Sequence, residues 1–174
     1  MMADSTHKEP FRVLFVCTGN TCRSPIAEGI LRQLVIDRGD PEVPIESLSA
    51  GTMGMVGAPV SDFSADVAAD QGIDITDHVS RDASLGLLNH VDLVLAMAKE
   101  HLDYARRLGV PDDKLYMLRG FPNRDLNDSA ASIPDPIARP REVYEQVFLM
   151  IDEAIRSGFP EIMRRARAKM EGQG

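Results

Sequence analysis

The sequence predicts an α/β fold: a three-layer sandwich around a central, mostly parallel four-stranded sheet, Rossmann-like in outline. Three observations carry this. Short, nearly continuous apolar runs, of which Phe11–Cys17 is the clearest, have the composition of strands buried on both faces. Stretches with apolar residues at helical spacing alternate with those runs. The alternation persists along the chain, which implies parallel strands joined by helical crossovers.

Residues 1–10 are polar, lack an apolar run and are expected to form a flexible tail rather than a secretory signal. Phe11–Cys17 is the first strand. Ser24-Pro25 then opens a helix, since proline suits the first helical turn; Ile26, Ile30, Leu31, Leu34 and Val35 share its face, and Gly39 suits the stop. Residues 45–50 form a second strand ending at Gly51. A helix after Pro59 places Val60, Phe63, Val67 and Ala68 on one side, and Gly72 ends it. Residues 83–89 form a short helix and 91–97 the third strand. Residues 99–108 form a helix with Leu102, Ala105 and Leu108 inward, and 114–118 the fourth strand. A proline- and asparagine-rich loop over 120–140 is long enough to be functional or disordered. The last major helix covers 141–157, leaving 158–174 as a polar, basic C-terminal extension beside one domain over 11–157; its cations, Arg164 to Lys169, have the pattern of a solvated helix face.

A chain of 174 residues, 44% hydrophobic and 26% charged, can bury one core without disulfides. Its formal net charge of −8 argues against nucleic-acid binding and against adhesion to anionic membranes. The best apolar stretch, 91–98, is too short to span a bilayer. With only two cysteines, Cys17 and Cys22, a reducing cytoplasm is expected.

The chemistry concentrates in Cys17-Thr18-Gly19-Asn20-Thr21-Cys22-Arg23-Ser24-Pro25, between the first strand and the first helix. In such folds ligands bind beyond the C-terminal strand ends. Five residues separate Cys17 from Arg23. A loop of that length can curl its N–H groups around one anion, aided by the helix N-terminus. Gly19 permits a turn that a side chain would obstruct, and Arg23 can give paired hydrogen bonds to a phosphoryl group. The inward N–H groups, the helix dipole, Arg23 and the Ser24 hydroxyl all favour a Cys17 thiolate, the nucleophilic form. A cysteine at a strand end can also be plain packing. No Gly-Lys-Ser/Thr and no Gly-x-Gly-x-x-Gly pattern is present, which separates this loop from nucleotide-binding turns.

This loop resembles that of the low-molecular-weight protein tyrosine phosphatases. Further landmarks in the same order are Ser49-Ala50-Gly51, Gly72-Ile73, Asp77-His78 with Arg81, the run from Asp92 to Met97, and Asp135-Pro136. The resemblance spans roughly 12–156 and implies a cysteine-dependent, metal-free, cofactor-free phosphatase. Cys17 would attack phosphorus and form a phosphocysteine. Arg23 would bind the phosphoryl oxygens. Asp135 would protonate the leaving group and then deprotonate water, and Ser24 would support the departing thiolate. Asn20 would hold the loop's shape through Ser49 and His78. Cys22 would either pair reversibly with an oxidised Cys17 or simply pack. His78 is read as structural; His7, His90 and His101 show no pattern and are read as surface residues. The implied partner is a phosphorylated protein, met by a monomer or weak dimer.

Two departures bear on the substrate. Ile137 is aliphatic where tyrosine-directed members often carry aromatics after Asp-Pro, and Arg139-Pro140 replaces glycines common in bacterial members. Thr21 stands where those members have a bulkier aliphatic residue, and the whole loop is similar to that of bacterial protein arginine phosphatases. Phosphotyrosine is the first reading and phosphoarginine the alternative, with Thr21 and Ile137 as specificity positions. Arsenate reductases share the loop but need cysteines downstream of it, and none follows Cys22. A non-catalytic phosphoprotein-binding module would have little reason to keep Cys17, Arg23 and Asp135 together.

Overall fold

The computed structural model describes residues 7–173, so most of the expected N-terminal tail lies outside the described residues. The strands are β1 (Phe11–Cys17), β2 (Ile45–Gly51), β3 (Leu93–Ala96) and β4 (Leu115–Met117). The helices are α1 (Arg23–Arg38), α2 (Asp62–Asp70), α3 (Leu85–His90), α4 (Lys99–Arg107) and α5 (Arg141–Gly172). The sheet is parallel throughout, in the order β2-β1-β3-β4. β1 pairs on both sides, with Cys17 opposite Gly51 and Val16 opposite Ala96.

The two-residue side-chain period of a strand sorts β1 between two cores. Val13, Phe15 and Cys17 pack with α1, α2 and α5, while Leu14 and Val16 pack with α3 and α4. All five are at most 2% exposed, which explains why the strand reads as a nearly continuous apolar run. The chain order reverses direction at β1, so the crevice outside its carboxyl end is where such a sheet receives ligands. Cys17 is the last residue of that strand.

α1 follows its expected face: Ile26, Ile30, Leu31 and Leu34 are buried, and Val35 is partly so. Gly29 serves packing, because a Cβ there would meet the Ile75 side chain at 2.5 Å. The last helix departs from expectation. It does not stop at 157 but continues to Gly172, and Phe159, Ile162, Met163, Ala166 and Met170 join the core. Residues 158–172 are therefore part of the domain and not a polar appendage. Gly158 is there because a Cβ would sit 2.8 Å from Phe121 Cδ1. The basic residues of this segment are partly committed: Arg165 Nη2 donates to Tyr116 Oη at 2.9 Å, and Lys169 Nζ to Asp92 Oδ2 at 2.8 Å.

Candidate active site

The loop after β1 is fixed from outside by its carbonyl groups. The carbonyls of Cys17, Thr18 and Gly19 accept from the N–H groups of Thr52, Met53 and Met55 at 2.9, 3.0 and 3.2 Å. Gly19 also accepts from Ser80 Oγ, and Asn20 accepts from His78 Nε2 at 2.7 Å. Thr21 accepts from the Ser61 N–H at 2.9 Å, and Cys22 from Ser64 Oγ at 3.3 Å. Across a trans peptide the carbonyl of one residue and the N–H of the next point in opposite directions. Six carbonyls held outward thus turn the N–H groups of Thr18 through Arg23 inward, making a concave anion cradle at the N-terminus of α1. Gly51 lets β2 come this close, since a Cβ would lie 2.3 Å from the Thr18 carbonyl oxygen.

Asn20 sets the polarity of the thiol's surroundings. It adopts φ of 57°, a left-handed conformation that asparagine tolerates, and is fully buried. The Arg81 N–H donates to Asn20 Oδ1 at 2.9 Å, which fixes the amide's orientation. The amide nitrogen then donates to Ser24 Oγ at 2.8 Å and to Ser49 Oγ at 3.0 Å. Ser24 Oγ lies 2.9 Å from Cys17 Sγ with its own proton free to donate there. Ser49 likewise passes its proton to Glu28 Oε2 at 2.5 Å. Burial opposes ionisation of Glu28, but hydrogen bonds with His78 and Ser49 outweigh it and hold the carboxyl below its ordinary range. The relay thus leaves the Ser24 hydroxyl able to donate to the sulfur of Cys17.

Arg23 is 3% exposed and aimed into the loop. Its Nη1 donates to the Ile133 carbonyl at 2.8 Å; its Nη2 lies 3.4 Å from Thr18 Oγ1 and 3.5 Å from Asp135 Oδ2. The Ile133 N–H donates to the Met97 carbonyl at the end of β3, which anchors the acid-bearing loop to the sheet. Asp135 itself is solvent-accessible, and its Oδ1 accepts from the Ile137 N–H at 3.1 Å. Cys17, Thr18, Thr21, Arg23, Asp135 and Ile137 border one cleft of about 200 Å³. Met53 and Met55 complete its apolar wall and were not singled out from sequence; nothing in their residue type marks them. Cys22 lies against Ser61 Oγ at 3.4 Å and Tyr144 Oη at 3.8 Å.

One expectation is overturned. His101 is not a surface residue: it is 0% exposed, beneath the loop. Burial, and then the nearby Arg23 charge, lower its ring from 6.5 to about 4, against weaker opposing pulls from Glu100 and Asp135. The unfolded chain binds this proton near 6.5 and the folded chain only near 4, so between those values the unfolded state holds more protons and stability rises with pH. Acidification across that window is expected to cost about 3 kcal/mol through this ring. Urea midpoints measured from pH 7 to 4 should show a shallower acid slope in His101→Gln; identical slopes would contradict the assignment.

A thiol, a buried guanidinium and an exposed carboxylate thus border one cleft at the carboxyl end of a parallel α/β sheet. The family model for low molecular weight phosphotyrosine protein phosphatase matches residues 12–168, and the chain belongs to that family. It is 36% identical over 150 residues to low molecular weight protein-tyrosine phosphatase A of Mycobacterium tuberculosis, spanning 84% of this chain and 88% of that one. The crystal structure of the low molecular weight protein tyrosine phosphatase from T. tengcongensis superposes with a TM-score of 0.76 at 35% identity, covering 87% of this chain and 99% of that one. An arginine phosphatase from Geobacillus stearothermophilus superposes with a TM-score of 0.70 at 31% identity, covering 94% and 96%.

Proposed function

We propose that the protein is a phosphatase of phosphotyrosine in proteins, working through a phosphocysteine on Cys17. The observation that carries this is the hydrogen-bond relay ending on Cys17 Sγ inside an anion cradle. The dianion enters the loop, bound by inward N–H groups and by Arg23. Cys17 Sγ attacks phosphorus in line with the ester oxygen, and Asp135 gives that oxygen its proton. Water, deprotonated by the same carboxylate, then attacks the phosphocysteine, and the Ser24 hydroxyl stabilises the departing thiolate. Met53, Met55 and Ile137 offer an aromatic ring apolar contact at the mouth. The partner would be a phosphorylated protein met in the cytoplasm, and against the net charge of −8 its anionic group is drawn by the local positive charge of Arg23.

Phosphoarginine is the second reading. Thr21 at the cleft and the likeness to an arginine phosphatase favour it, with Asp135 placed to pair with a guanidinium. Matched phosphotyrosine and phosphoarginine peptides, assayed for kcat/KM with Cys17→Ser as blank, decide between them. A phosphotyrosine preference supports the first reading. A phosphoarginine preference makes Thr21 a specificity residue, and turnover of neither overturns both.

A further inference from the structure

His101 has a use that its burial alone does not explain. It is the third residue of α4, and its Nδ1 accepts the N–H of Ala98 at 3.1 Å. A backbone N–H can only donate, so Nδ1 carries a lone pair and the neutral ring holds its proton on Nε2. That Nε2 lies 2.8 Å from Thr18 Oγ1 and must donate to it. Thr18 Oγ1 also faces Arg23 Nη2 at 3.4 Å, another obligate donor. Both acceptor positions of the hydroxyl are thereby taken, and its remaining capacity is to donate its own proton. Thr18 is half-buried, and its open side is the cleft shared with Cys17, Arg23 and Asp135.

We propose that the Thr18 side chain donates a hydrogen bond to the phosphoryl group held in the loop, and that His101 is the positioning residue that sets this polarity. The proposal rests on the phosphatase reading for its consequence in turnover, but not for its consequence in anion binding. Arg23 Nη2, 3.5 Å from Asp135 in the same cleft, also touches Thr18, so the hydroxyl would add one side-chain donor to the backbone cradle beside the guanidinium. A threonine without the histidine beneath it would be free to rotate and accept instead. The buried, neutral ring removes that freedom through pH 5–8, because its proton affinity is too low for it to charge there.

The test uses Thr18→Val, His101→Leu, their double variant and His101→Gln, measured for kcat/KM on phosphopeptide and for Kd of inorganic phosphate. One donor to an anion is worth about tenfold. Thr18→Val, which keeps the shape and removes the hydroxyl, should lower kcat/KM and weaken phosphate binding by about that factor. His101→Leu should lose a similar amount, and the double variant should be no worse than either single one, because both remove the same bond. Glutamine can accept from Ala98 through Oε1 and donate to Thr18 through Nε2, so His101→Gln should stay within about threefold of the parent. Full additivity of the two losses would show that His101 only supports the fold and would overturn its positioning role. Unchanged phosphate Kd and kcat/KM in Thr18→Val would overturn the proposal, whether or not His101→Leu folds. If the parent turns over no phosphopeptide, the phosphatase reading fails, and the phosphate Kd series still judges Thr18 and His101.

Discussion

Cys17→Ser is expected to abolish turnover, by on the order of 10⁵-fold, while the protein stays folded and binds inorganic phosphate more tightly than the parent. The residue is 2% exposed and ends a strand paired on both sides, and replacing sulfur by the smaller oxygen leaves the packing of β1 intact. What changes is the nucleophile. Ser24 Oγ remains 2.9 Å from this position, but a serine hydroxyl is a far weaker nucleophile than a cysteine sulfur. The cradle persists because its outward carbonyl bonds to Thr52, Met53, Met55, His78, Ser61 and Ser64 involve no atom of the Cys17 side chain. Binding tightens because the incoming dianion no longer meets a thiolate at the floor of the loop. Steady-state turnover and calorimetric titration with phosphate measure both halves. Retained turnover would remove Cys17 from the mechanism; lost phosphate binding would show that the thiol holds the loop together.

The same locality that makes this prediction possible made the loop legible in sequence. The motif from Cys17 to Pro25 is contiguous, its strand is a nearly continuous apolar run, and its helix announces itself with Pro25 and spaced apolar residues. The family resemblance points to Asn20, Ser49 and His78, and the structure brings them together around the loop. Other features depend on contacts far apart in the chain and leave no local trace. His101 is a polar residue one place before Leu102 on a helix whose apolar positions suffice to explain its packing; its Nδ1 takes the nearby Ala98 N–H, but the partner that ties it to the loop, Thr18, lies 83 residues earlier. Gly158 and Pro160 lie just past the expected helix end at 157, yet the glycine accommodates Phe121 and the apolar stripe runs on through Ile162, Ala166 and Met170. Interleaved arginines disguised that stripe as a solvated face. The expected third strand, 91–97, is Leu93–Ala96; at its start the Asp92 carboxylate takes the Arg12 N–H, while the Asp92 and Met97 N–H groups still donate to the Arg12 and Val16 carbonyls of β1.

Asp135→Asn is the second large effect, and its size should depend on the leaving group. Asparagine keeps an Oδ1 that accepts from the Ile137 N–H at the same place, so the turn carrying the residue survives. The turn is demanding, since Ala138 sits at φ of 57°, where a side chain is disfavoured and a distorting substitution would be felt. The substitution therefore removes proton transfer and the ionic contact with Arg23 Nη2, seen at 3.5 Å, with little else. Losing that contact frees the guanidinium for the anion, so KM should hold or fall. Losing the acid should lower kcat by roughly 10²- to 10³-fold on a phosphotyrosine peptide, within the range of general acid–base contributions. An activated aryl phosphate, whose phenolate departs without help, should lose much less in the first step. The loss that remains then belongs to the second step, where no carboxylate is left to deprotonate water, and phosphocysteine should accumulate. Rapid-quench measurement on both substrates, with intact-mass detection of the phosphorylated protein, reads the two steps separately. Equal losses on the two substrates with no accumulation would mean that Asp135 serves the loop and not the chemistry.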